Sequence, residues 1–148
     1  MATLRKAVAA DADEVLELMA GLGRPGVLDD PEAQREVFLA HLVHPDGCVF
    51  VADAGDELAG AASLWVRPRL NWTTPEAWLP DLFVRPAYRS QGVARALLDA
   101  CAEEARGRGC HALKLESGNE RAEAHALYDA YGFERFAGAY RLSLRSSS

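Results

Sequence analysis

Chemistry concentrates in one run of this chain, Trp78 to Arg106. A short apolar stretch holding Leu79, Leu82, Phe83 and Val84 breaks at Arg85-Pro86 and turns through Tyr88, Arg89, Ser90, Gln91 and Gly92. Val93, Ala94, Leu97, Leu98 and Cys101 then recur at helical spacing. A strand, a tight glycine turn and a helix aim free backbone N–H groups at an anion. The first N–H groups of a helix lack intrahelical partners, and the helix dipole adds positive potential. The same residues also suit a plain strand-to-helix turn, and the segment alone leaves both readings open. There is no Gly-rich run ending in Lys-Ser or Lys-Thr and no G-x-G-x-x-G, which excludes a P-loop and a dinucleotide fingerprint.

Arg89-Ser90-Gln91-Gly92-Val93-Ala94 resembles the R/Q-x-x-G-x-G/A signature of the GNAT superfamily of N-acetyltransferases, with a D-L-F-V strand ahead and a long amphipathic helix behind. Downstream, Asn119, Ala122, Tyr128 and Gly132-Phe133 resemble the family's N-x-x-A and Y-x-x-x-G-F block, in the right order. The resemblance implies an enzyme that moves an acetyl group from acetyl-CoA to a primary amine of a small molecule, in a ternary complex. Arg89, Ser90, Gln91, Gly92, Val93 and Ala94 would hold the cofactor's pyrophosphate. Leu82, Phe83 and Val84 would bind the pantetheine arm and the thioester oxygen. Asn119 would bond the pantetheine amides or else cap a helix. Tyr128 would give a proton to the leaving thiolate, a step open to a phenol near pKa ~10 against a thiol near ~8.5. Read without the family, Ala124, Leu127, Tyr128 and Tyr131 form a helical stripe that also suits plain core. For the base, the resemblance implies Asp81, directly or through a water, with Glu116 as a second candidate. Many relatives carry Glu where this chain has Pro80. That proline marks a strand start, an edge or a bulge, and the expectation is a strand beginning at Asp81.

Composition bounds the rest. At 148 residues the chain fits one domain, 1–148, with 49% hydrophobic and 26% charged residues. A net charge of −6 argues against broad nucleic-acid binding. Any phosphate site must then be locally positive, and Arg85, Arg89 and Arg95 stand near the turn. An acidic surface suits a cationic acceptor such as an amine, although solubility explains it equally well. Cys48, Cys101 and Cys110 show no paired spacing, so neither a disulfide framework nor a metal site is expected. No long apolar run suggests a membrane span, and the expected compartment is the cytoplasm. The alternatives are a non-catalytic CoA-binding module, or an acetyltransferase of protein N-termini or lysines. A homodimer through the last strand stays open.

These residues need elements to position them. The pattern predicts an α/β chain of the α+β type in the order βααβββαβαβ, matching the GNAT fold. Its sheet is mixed and mostly antiparallel, with about four flanking helices and a last strand or hairpin over 134–144. Asp11 and Glu14 read as a capping box for the first helix. Asp30-Pro31 opens the second, with Val37, Phe38 and Leu42 inward and His41 and His44 near its end. Trp65, Trp72 and Trp78 are candidates for an aromatic acceptor wall.

Overall fold

The computed structural model describes residues 2–22, 25–116 and 122–145. The chain divides into two compact units, Met1–Leu115 and Glu116–Ser148, each described by itself. The first unit holds β1 (Thr3–Lys6), α1 (Ala12–Ala20), α2 (Pro31–Val43), β2 (Gly47–Asp53), β3 (Leu58–Arg67), β4 (Glu76–Val84), α3 (Val93–Gly107) and β5 (Leu113–Leu115). The sheet runs β1-β2-β3-β4-β5 in space. Its pairs are antiparallel except β4 with β5, which are parallel because α3 crosses between them. The expected mixed, mostly antiparallel sheet with four helices is present.

Core packing follows strand alternation. Val49, Val51 and Ala61 face Val15 and Leu18 of α1 and Phe38 of α2. On the opposite face, Gly60 meets Leu97 of α3: a Cβ there would lie 3.2 Å from the Leu97 side chain and 2.7 Å from the Phe83 carbonyl oxygen. Only glycine permits β3, β4 and α3 to approach so closely. Leu97, Leu98 and Cys101 are fully buried.

Three local expectations change. Asp11 does not cap α1 with its side chain. Its carboxylate accepts from Arg5 at 2.8 and 2.9 Å and from the Val8 amide at 2.8 Å, while Glu14 accepts from the Leu58 amide. An ion pair and a strand amide outcompete the helix's own orphan donors. Val37 is 60% exposed, and Phe38 alone of α2 is fully buried. And β4 starts at Glu76, not Asp81, because Pro80 sits at a bulge: between the pairs Ser63↔Asp81 and Trp65↔Trp78, β3 advances two residues and β4 three. Having no N–H, proline fits where the ladder is interrupted.

The second unit carries α4 (Ala122–Tyr131), with Ala124, Leu127, Tyr128 and Tyr131 as its half-buried stripe. Gly132 ends it at φ 116°, its amide and that of Phe133 donating to the Tyr128 carbonyl, as a left-handed cap requires. The strand expected over 134–144 is not formed. Among the described residues, 133–144 carries no regular structure, and Tyr140, Leu142 and Leu144 are exposed. Alternation is a local property; a strand exists only where a ladder partner accepts it.

Candidate active site

The Arg89–Ala94 turn forms the start of α3. Gly92 holds the N-cap position in the left-handed region at φ 79° and Ser90 also lies there at φ 65°. Open space surrounds the position of a Gly92 Cβ, and no side chain caps the helix. The first N–H groups of α3 therefore face outward at the positive end of its dipole. The Arg89 guanidinium donates to the Val84 carbonyl at 3.2 Å and lies over the Phe83 ring, tying the turn back to β4. Arg85 does not contribute positive charge here. It bonds the Leu58 carbonyl at 2.7 Å and pairs with Glu14, Glu17 and Glu57, which neutralise it.

Behind the turn, the parallel ladder of β4 and β5 among the described residues pairs Ala77–Leu79 with Leu113–Leu115. Leu82, Phe83 and Val84 take ladder partners from β3, opposite Ala62, Ala61 and Gly60. The bulge places Asp81 two residues past Leu79 on β4. Directly opposed antiparallel residues share a face, so Asp81 and Ser63 face the α1/α2 side, in line with Ala61 and Phe83. Ser63, 7% exposed, donates to the Asp81 carboxylate at 2.7 Å.

The extra residue in β4 also brings Trp78 and Glu76 to that face, opposite Trp65 and Arg67. Without the bulge, Asp81 and Trp78, three residues apart, would point to opposite sides. His41 of α2 stacks on Trp65 at 3.9 Å and contacts the Leu64 carbonyl, rather than simply meeting the helix dipole. Burial lowers its pKa, against opposing effects of the Leu64 carbonyl and Asp81, which favours the neutral ring. Trp72 leaves the expected aromatic wall and stacks on His111 at 4.0 Å.

Glu76, fully buried, accepts from Arg67 and Arg69 at 2.7 Å and from Lys114 at 2.9 Å. Burial alone would raise its pKa. Hydrogen bonds from Lys114, Arg67 and Arg69 overcome that and hold it down at about 2. Sequence reasoning missed Ser63, and Glu76 with its partners Arg67, Arg69 and Lys114. The available signal was a polar residue inside an apolar strand, which must find a partner when buried.

Of the residues singled out from sequence, the structure gathers Asp81, Leu82, Phe83, Val84 and the Arg89–Ala94 turn on one strand–turn–helix. Glu116 and Tyr128 belong to the second unit, where the Tyr128 and Phe133 rings meet edge to face. Asn119 lies outside the described residues. No group of three or more potential metal ligands occurs among the described residues, and none of their helices is long and apolar enough to span a membrane.

A strand running through a left-handed glycine turn into an uncapped helix start suits a protein that holds a phosphorylated ligand. The chain matches the Acetyltransferase (GNAT) family over residues 13–133 and belongs to that family. It is 37% identical over 136 residues to the aminoglycoside N(6')-acetyltransferase type 1 of Stenotrophomonas maltophilia, covering 89% of this chain and 86% of that one. In fold it is similar to a transcriptional regulator from Bacillus halodurans, with a TM-score of 0.90 at 23% identity over 97% of this chain and all of that one. It is also similar to the aminoglycoside N-acetyltransferase AAC(6')-Iy in complex with CoA, with a TM-score of 0.86 at 22% identity over 99% and 96%. The chain is an acetyl-CoA-dependent N-acetyltransferase, and its relatives in Stenotrophomonas maltophilia and Klebsiella aerogenes are N-acetyltransferases of small molecules, the aminoglycosides.

Proposed function

We propose that this chain works as a single domain, 1–148, and acetylates a primary amine of a small molecule directly, within a ternary complex. When bound, acetyl-CoA supplies the activated acetyl thioester. The residues present suit such a donor: an uncapped α3 N-terminus with open space at Gly92 for the pyrophosphate, and the strand residues Leu82–Val84 just ahead of it for the arm. Asp81, oriented by Ser63, accepts the amine proton, directly or through a water, and Tyr128 donates one to the departing thiolate.

The observation that carries the reading is the uncapped start of α3 at Gly92, with the hydrogen-bonded Asp81 on the strand that leads into it. Direct transfer rather than an acyl-cysteine relay is supported by the thiols. Burial raises the pKa of Cys48 and Cys110 and pushes that of Cys101 up to about 12, all away from a reactive thiolate. The aminoglycoside acetyltransferase relatives make aminoglycosides natural first acceptors to try.

The test is acetyl-CoA turnover, followed as thiol release over a panel of amines, for wild type, Asp81→Asn and Tyr128→Phe. Loss of more than tenfold in kcat/KM in each variant, with CoA affinity retained, is expected. CoA binding without turnover of any amine or peptide would overturn the catalytic reading in favour of a binding module.

A further inference from the structure

The sheet face that carries Asp81 ends in a cluster of basic side chains around Glu76. Ser63, Trp65 and Arg67 of β3 alternate onto this face, opposed by Asp81, Trp78 and Glu76 of β4, and Lys114 of β5 pairs with Trp78. Arg69 reaches the same carboxylate from the loop after β3. One buried carboxylate thus gathers three cations. Three donors satisfy the oxygens of the buried carboxylate, and holding three like charges around it costs mutual repulsion. This gathering of basic side chains stands out in a chain whose net charge is −6. Arg67 and Arg69 remain 42% and 40% exposed at their side chains, and each offers guanidinium N–H groups beyond the one given to Glu76.

We propose that the acceptor carries an oxyanion, a carboxylate or a phosphate, and that Arg67 and Arg69 bind it while the amine sits at Asp81. This rests on the reading of Asp81 as the amine's site. The geometry sets a length: from Ser63 to Arg67 is four residues, about 13 Å along the strand, and arginine side chains shorten that to an amine-to-anion separation on the order of 10 Å. The anion is not a phosphate of the donor. Gly92 lies beyond the far end of β4, and from Glu76 to Val84 is eight residues, roughly 26 Å. Guanidinium forks match carboxylate and phosphate alike. Polycationic amines meet repulsion on this face, so the chain departs in acceptor from relatives named for aminoglycosides.

The experiment compares ω-amino carboxylates, aminoalkyl phosphates, amino alcohols, diamines and an aminoglycoside, at graded lengths where possible. Both kcat/KM and calorimetric binding to the CoA-loaded full chain are measured. The expected result is a kcat/KM at least tenfold higher for one anionic series than for amino alcohols of equal length, peaking near the predicted span. That ratio falls towards one in Arg67→Gln and Arg69→Gln and is largely kept in Arg69→Lys. The two anionic series separate carboxylate from phosphate. Turnover with no anion preference, or with diamines or the aminoglycoside favoured, overturns the proposal and leaves the catalytic reading intact. Anion-dependent binding without turnover of any amine keeps the anion site and overturns the catalytic reading. Absence of both binding and turnover of the anionic amines overturns this proposal.

Discussion

At the scale of single residues, two carboxylates on one sheet face do different work. Asp81 accepts a hydrogen bond from the Ser63 hydroxyl, whereas Glu76 is locked beneath three cations. Removing the Ser63 hydroxyl deprives Asp81 of a hydrogen bond to a charged acceptor, an interaction of about 1.5–3 kcal/mol. Ser63→Ala is therefore expected to lower kcat/KM about tenfold with a small change in stability, and Ser63→Thr to restore most of it. Glu76 contributes through linkage. Its pKa falls from the model-peptide value of 4.5 to about 2 on folding, so its stabilisation is present above pH 4.5 and is lost as pH falls through 2. That shift corresponds to about 3 kcal/mol. Glu76→Gln should be destabilised on that order at pH 7, with the gap from wild type closing between pH 4.5 and 2 in chemical denaturation.

At the scale of elements, two glycines separate packing from backbone strain. Gly60→Ala drives a Cβ into the Phe83 carbonyl between β3 and β4, and overpacking of this kind costs about 1–3 kcal/mol. A fall in Tm of several degrees is expected from calorimetry. At Gly92 there is room for a methyl group, but the left-handed backbone disfavours it by about 1–2 kcal/mol. Gly92→Ala should weaken CoA binding more than it lowers Tm, because any relaxation of the turn redirects the α3 amides. The bulge in β4 is the decisive element. One extra residue accommodates Pro80 and reverses the facing of everything before it, joining Trp78 and Glu76 to the face of Asp81.

At the scale of the whole molecule, acetyl-CoA should stabilise the folded chain by mass action, about 2.7 kcal/mol at a hundredfold excess over Kd, read as a rise in Tm that Gly92→Ala diminishes. The run from Asp81 to Ala94 was legible because its strand, turn and helix are contiguous, and each is set by local spacing and by one left-handed glycine. The resemblance carried by those residues, with Tyr128 and Gly132-Phe133, reached the family without any contact being known. The order of the first nine elements was equally local, written in alternation, helical periodicity and turn residues. Register was not. Whether Pro80 starts a strand or bulges from one depends on β3, which is distant in sequence. Glu76 collects partners from three places along the chain, Arg67, Arg69 and Lys114, that no short-range pattern links. Asp11 and Glu14 read as caps, yet Arg5 and the Leu58 amide took them. The alternation of Tyr140, Leu142 and Leu144 announced a strand that found no ladder. The sequence by itself determined the elements, the family and the donor turn, because those depend on neighbours along the chain. Tertiary structure decided which side chains share a face and a charge, because strand pairing and burial are settled between segments far apart in sequence.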